Sequence, residues 1–239
     1  MSADERCAVY CGTPNLYSDM VTASKSLFCN SNVDTVYFVI STSSFPYSIP
    51  PCVKIIDMSN QQFFRTDGLN YLSRWTYMVL LRAALAKIFP RIDKILSLDV
   101  DTIVDNDISE LWDIDIDNYY FAAVREPSKS IGSFLYTNFG VTMQNLKKLR
   151  NDRKVDEVIK KLNYKKYSFP EQDAMNIECQ GNILEIPAKS NVACCTSETV
   201  EDPRIIHYAA VKEWNNKPLV EKYRKMSWEE ALGDRKVYL

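Results

Sequence analysis

The sequence is short of several things, and each shortage excludes a class of protein. No run of about 18 apolar residues occurs, so no stretch reads as a membrane-spanning helix. The start, Met1 to Arg6, is polar and acidic and lacks a signal-peptide pattern. The net charge of −2 carries no basic excess, which argues against a nucleic-acid partner. The cysteines Cys7, Cys11, Cys29, Cys52, Cys179, Cys194 and Cys195 are odd in number and contain no CxxC pair. They read as buried free thiols of a reducing, cytoplasmic compartment rather than as a zinc site or a disulfide framework. Internal repeats, low-complexity segments and linkers are also missing. Histidine occurs once, as His207.

What is present is an ordinary globular composition, 46% hydrophobic and 25% charged over 239 residues, enough for one domain with a sizeable core. A strand candidate at Cys7 to Cys11 is broken by Gly12-Thr13-Pro14-Asn15, and a helix pattern follows from Tyr17 to Cys29. Asp34 to Ile40 and Val53 to Asp57 are further strands, and this alternation favours a parallel α/β sheet. Ser73 to Phe89 is predicted as one helix with Met78, Arg82, Leu85 and Phe89 on one face. Arg82 therefore sits on a largely apolar stripe. It either snorkels out into a structural ion pair or brings its guanidinium to a phosphate or an aspartate. Strands are predicted at Asp93 to Leu98, Tyr119 to Val124, Phe134 to Met143, Asn182 to Ile186 and Arg204 to Ile206. Asp107 to Trp112 reads as a short capped helix and Asn145 to Tyr164 as one lysine-rich surface helix. Another helix opens at Pro170 with acids in its first turn. Weak helical signal covers Leu219 to Met226 and Trp228 to Leu232.

The chemistry concentrates in Ile95-Leu-Ser-Leu-Asp99-Val-Asp101-Thr-Ile-Val104. An apolar strand ends in two aspartates, and desolvating two carboxylates without compensation costs several kcal/mol or more each. They must emerge at the strand end and meet a cation, for which carboxylate oxygens suit a hard divalent metal beside a phosphorylated substrate. Asn138 and Gly140 interrupt another strand, where a glycine marks a bulge or a close approach. His207 closes a third. Ligands of open α/β sheets gather at strand carboxyl ends, and two carboxylates with one imidazole suit Mn2+ better than Mg2+.

Four ordered segments carry a resemblance. They are Asp99-Val100-Asp101 after DKILSL, Asn138-Phe-Gly-Val141 followed by QNLKKLR, Glu171-Gln-Asp-Ala-Met-Asn176, and Ile205-Ile-His-Tyr-Ala-Ala-Val-Lys-Glu-Trp214. Together they resemble glycosyltransferase family 8, retaining galactosyl- and glucosyltransferases with the GT-A fold, a Rossmann-like mixed sheet flanked by helices. The resemblance covers roughly residues 6 to 214. It implies a GT-A catalytic domain over 1–214, with 215–239 as a short helical tail of the same domain. It further implies that Asp99, Asp101 and His207 hold Mn2+ (Mg2+ as the alternative) on the diphosphate of a UDP-sugar, with Lys212 adding positive charge there. Tyr10, Cys11, Thr13 and Asn15 would face uracil and Val100 the ribose. Arg82, Glu126, Asn138, Glu171 and Gln172 would surround the donor sugar, with Gln172 or Asp173 nearest the anomeric carbon. The partners expected are a UDP-sugar and a carbohydrate or glycoconjugate acceptor, with weak peripheral membrane association as the only membrane link.

Four positions depart from the family pattern. Glu171 replaces an aspartate, Thr13 replaces the aspartate that contacts uracil, Glu213 replaces a proline, and Ala210 replaces a glycine and is expected to crowd the diphosphate loop. Two other classes stay open on sequence. One is a phosphotransferase of the haloacid-dehalogenase type, which also carries a strand-end D-x-D. The other is a nucleotide-sugar-binding module that has lost activity.

Overall fold

The computed structural model describes residues 5–73, 75–127, 134–195 and 199–235. The polar N-terminal stretch and the C-terminal tail thus each run partly outside the described residues.

A seven-stranded sheet forms the spine. Its strands are β1 (Cys7–Gly12), β2 (Thr35–Ile40), β3 (Val53–Asp57), β4 (Lys94–Leu98), β6 (Phe121–Arg125), β7 (Thr137–Asn145) and β8 (Ile183–Glu185), in the order β3-β2-β1-β4-β7-β6-β8. The first four strands in that order are parallel, as the βα alternation predicted. β7 runs antiparallel to both β4 and β6, which makes the sheet mixed. A small second sheet joins β5 (Thr102–Val104), β9 (Val192–Ala193) and β10 (Ile205–His207), with β10 in the centre.

Both faces of the large sheet are covered, so its strands read as near-continuous apolar runs. Alternate residues feed two cores. Cys7, Val9, Val39, Ile95 and Phe139 face one side, packed by α2 (Tyr77–Arg82), α3 (Leu85–Ile88), α4 (Leu146–Asn151), α5 (Lys154–Tyr164) and α6 (Pro170–Glu178). Ala8, Tyr10, Phe38, Leu96, Leu98 and Val141 face the other, against α1 (Tyr17–Cys29). The C-terminal helices α7 (Pro218–Lys225) and α8 (Trp228–Leu232) also pack on α1.

Two predicted helices are broken. Ser73 to Phe89 becomes α2 and α3, because the Arg82 carbonyl accepts from Gln144 Nε2 at 3.2 Å and Ala83-Ala84 leave the helical ladder. Asn145 to Tyr164 becomes α4 and α5, split at Arg153, whose φ of +57° is left-handed. Val155, Val158 and Leu162 of α5 are buried while its lysines face outward, as an amphipathic surface helix requires. The thiols depart partly from expectation. All are free, but Cys29, Cys194 and Cys195 are exposed.

Candidate active site

Two local devices build the site. The first is the corner between the sheets. Asp99 directly follows β4, and its N–H donates to the Gly140 carbonyl at 2.7 Å. The chain then turns, with Thr102 Oγ1 donating to the Asp99 carbonyl at 2.7 Å, and enters β5. β10 pairs antiparallel with β5, placing His207 opposite Thr102, and the Tyr208 N–H reaches the Asp101 carbonyl at 2.9 Å. A residue more than a hundred positions away is thereby registered beside the two aspartates.

The second device is a bulge. Thr137 to Thr142 of β7 stands opposite only Ala123 to Arg125 of β6, so the backbone between them loses its ladder partners. Buried backbone groups need partners, and side chains supply them. Gln172 Oε1 accepts from the Phe139 N–H at 2.9 Å, Asn138 Oδ1 accepts from the Gly140 N–H at 2.9 Å, and Arg82 Nη2 donates to the Phe139 carbonyl. Gly140 marks both the bulge and a close approach. The group lying on it is the His207 ring, for a Cβ there would stand 2.2 Å from Cε1 and 2.6 Å from Nδ1.

The resulting cluster is compact. His207 Nε2 lies 3.3 Å from Asp101 Oδ1 and 3.5 Å from Asp99 Oδ2. One ligand atom from each of the three residues falls within 4.8 Å of the others. Adjacent ligands of an octahedral ion with bonds of about 2.1 Å sit about 3 Å apart, so this donor set fits a divalent cation with little adjustment. Behind it Arg82 is buried at 3% exposure, with Nη1 2.6 Å from Asp99 and 3.5 Å from Glu171. Its Nε also donates to Ser97 Oγ at 3.3 Å. The arginine on the apolar stripe therefore reaches an aspartate, and Ser97, a polar residue inside an apolar strand, is there to receive it.

The charges compete. Burial works against ionised Asp99 and, with Asp101 adding repulsion, outweighs Arg82 and His207, so its carboxyl titrates above the usual range. Burial also opposes ionised Asp101, but its hydrogen bond and charge pairing with His207 win and hold it below that range. Burial disfavours the charged imidazole, and the two carboxylates overcome this and lift His207 above its ordinary value. Burial, with Asp99 nearby and Arg82 only partly compensating, pushes Glu171 to about 7.

The other expected residues divide. Glu126 joins through Asn138, whose Nδ2 donates to Glu126 Oε2 at 2.9 Å. Gln172 is pinned at both ends, its Nε2 donating to Tyr136 Oη at 3.1 Å. Asp173, expected beside the anomeric carbon, is instead buried at 6% exposure with both oxygens engaged. Oδ1 accepts from Tyr136 Oη at 2.5 Å, and Oδ2 accepts from the N–H groups of Ser168 and Phe169 at the start of α6. These bonds anchor the entry to α6. Tyr10, expected at uracil, has its side chain wholly in the core, so its position offers only backbone to a ligand. Half-buried Cys11 and Thr13 follow it at the carboxyl end of β1, and Thr13 Oγ1 donates to Asn15 Oδ1 at 2.7 Å. Burial pushes the Cys11 thiol to about 12, so it stays protonated. Val100 is half-buried between the aspartates. Lys212 is exposed on the turn after β10 and makes no ion pair with the cluster among the described residues. Ala210 is exposed with φ of +61°, the left-handed conformation that explains a glycine in the family pattern.

Sequence patterns missed Asn191 and Tyr136. Asn191 is 5% exposed and contacts both His207 Nδ1, at 3.0 Å, and Asn138 Oδ1, at 2.9 Å. It lies between a short 3-10 turn and β9, with no periodic signal to single it out.

This mixed sheet, with a strand-end aspartate pair completed by a histidine from a small second sheet, is the GT-A architecture. The pneumococcal glycosyltransferase GlyE superposes with a TM-score of 0.70 at 21% identity, over 95% of this chain and 62% of its own. Galactosyltransferase LgtC, crystallised with donor and acceptor sugar analogues, superposes with a TM-score of 0.68 at 16% identity, over 91% and 95%. The chain belongs to glycosyl transferase family 8, whose profile matches residues 29–218. That membership removes the haloacid-dehalogenase alternative. Among relatives by sequence is the lipopolysaccharide 1,2-glucosyltransferase of Escherichia coli, 26% identical over an alignment of 169 residues that takes in 59% of this chain and 50% of that protein. The chain spans between 35% and 50% of the length of the curated relatives it matches.

Proposed function

We propose that this chain is a retaining hexosyltransferase that moves glucose or galactose from a UDP-sugar to a glycan or other glycoconjugate acceptor. The observation that carries this is the Asp99–Asp101–His207 cluster at the carboxyl end of β4, in a chain of family 8. Asp99, Asp101 and His207 would hold Mn2+, with Mg2+ as the alternative. Bound there, the cation neutralises charge growing on the leaving diphosphate without a proton donor. Lys212 would turn inward to share that load. Arg82 holds Asp99 and Glu171 in fixed positions, so neither carboxylate reorganises as charge develops. Glu171, Glu126 and Asn138 would hydrogen-bond the sugar hydroxyls, and Gln172, clamped by Phe139 and Tyr136, would lie nearest the anomeric carbon. Cys11, Thr13 and Asn15 at the end of β1 would meet the base and Val100 the ribose. A galactosyltransferase and a glucosyltransferase among the neighbours support a hexose. Free thiols, and no helix among the described residues long and apolar enough to cross a membrane, support a cytoplasmic setting.

The test is a screen of nucleotide sugars with Mn2+, reading donor hydrolysis, the anomeric configuration of the product by NMR, and thermal shift. UDP-glucose or UDP-galactose should be hydrolysed slowly without acceptor, and Asp101→Ala should abolish both hydrolysis and Mn2+-dependent donor binding. A protein that binds a UDP-sugar but never hydrolyses it would favour the inactive binding module. An inverted product would overturn retention.

A further inference from the structure

A chain of four hydrogen-bonding groups runs from the β7 backbone to the His207 ring, and its polarity is fixed at one end. The Gly140 N–H can only donate, so the Asn138 atom it meets at 2.9 Å is the carbonyl oxygen. The other end of that amide donates to the Glu126 carboxylate, which agrees. An oxygen can only accept, so Asn191 presents its NH2 to Asn138 Oδ1 and turns its own Oδ1 to His207 Nδ1. That oxygen needs a donor, which places the ring proton on Nδ1. Nε2, 3.3 Å from Asp101 Oδ1 and 3.5 Å from Asp99 Oδ2, is then the nitrogen whose lone pair a cation held between the carboxylates would take in place of a proton. Both Asn191 and His207 are almost fully buried, so water does not compete for either bond. β9 pairs with β10 at Val192 and Ala193, directly after Asn191, which locks the amide alongside the ring.

We propose that Asn191 is a positioning residue that sets the tautomer of His207, with Gly140 and Asn138 as the fixed reference. This rests on the metal cluster proposed above. Nδ1 thereby keeps the proton that Asn191 accepts, and Nε2 is the nitrogen turned to the cation position before any cation arrives. Outer-shell partners of ligating histidines typically contribute about 10- to 100-fold in metal affinity.

Because the chain has one histidine, its two ring nitrogens can be read without ambiguity by 15N NMR. Spectra of the full metal-free chain, at a pH where the ring is neutral, should show a protonated Nδ1 and a bare Nε2. Asn191→Leu should give a mixture or the opposite tautomer and lower Mn2+ affinity about 10- to 100-fold by calorimetry. Asn191→Gln, which keeps both an acceptor for Nδ1 and a donor for Asn138 Oδ1, should restore the native tautomer and most of the affinity, a rescue that packing alone would not produce. If Asn191→Leu does not fold, Asn138→Ala, which frees the Asn191 amide to flip, should show the same mixed tautomers. A native tautomer in every variant that folds, or equal affinity losses for the Leu and Gln variants, would overturn the proposal. Absence of Mn2+ binding by the unmodified protein would instead defeat the metal assignment, while the tautomer measurement would still decide the role of Asn191.

Discussion

Gly140→Ala should separate metal binding from folding. The backbone there is not left-handed, so a methyl group is conformationally allowed, and leaving glycine in a strand interior gains roughly 0.5–1 kcal/mol. The methyl carbon would stand 2.2 Å from His207 Cε1, 2.6 Å from Nδ1 and 2.9 Å from Asn138 Oδ1. Ordinary carbon contacts lie at about 3.5–4.0 Å, so the ring must retreat by about 1 Å or more. A metal site tolerates about 0.2 Å. The imidazole should therefore leave the coordination sphere. Overpacking costs typically 1–3 kcal/mol, so the net loss of stability should be about 1–2 kcal/mol. The loss of Mn2+ affinity should be at least about 100-fold, the upper end of what disturbing even an outer-shell partner does. Calorimetric titration with Mn2+ and chemical denaturation of the metal-free protein measure the two sides. Affinity within a few-fold of the unmodified protein would refute the assignment of His207 as a ligand seated on Gly140.

Two other outcomes are expected. Ala210→Gly should raise stability by about 1 kcal/mol, since a residue with a Cβ at φ of +61° carries left-handed strain; a lower melting temperature would contradict this. Glu171→Gln concerns pH. Burial, aided by Asp99 against Arg82, raises Glu171 in the fold from 4.5 to about 7, so the folded state holds its proton more tightly than the unfolded chain does. That contribution is fully present below about pH 4.5 and is lost as pH rises through about 7, at a cost of about 3 kcal/mol by pH 8. The glutamine variant should therefore gain on the parent between pH 5 and pH 8 in denaturation measured without metal, and parallel pH curves would refute it.

Much of this protein was determined locally. Apolar runs specified β1, β2, β3 and β4 nearly to the residue, α1 matched its periodicity from Tyr17 to Cys29, and the Asp99–Asp101 pair was legible because two carboxylates cannot close a buried strand unaided. Where prediction failed locally, a distant group intervened. Gln144 takes the Arg82 carbonyl where α2 ends. Only the tertiary structure decided that β7 runs antiparallel beside β4, which sets Gly140 against Asp99, and that β10 pairs with β5, which lays His207 on Gly140. Only it brought in Asn191, a residue without periodicity or motif, because hydrogen-bond polarity running from β7 through Asn191 to β10 exists only once they are assembled. Short-range sterics and hydrophobic spacing are written along the chain, whereas convergence of side chains a hundred residues apart depends on sheet order and register, which no local pattern encodes.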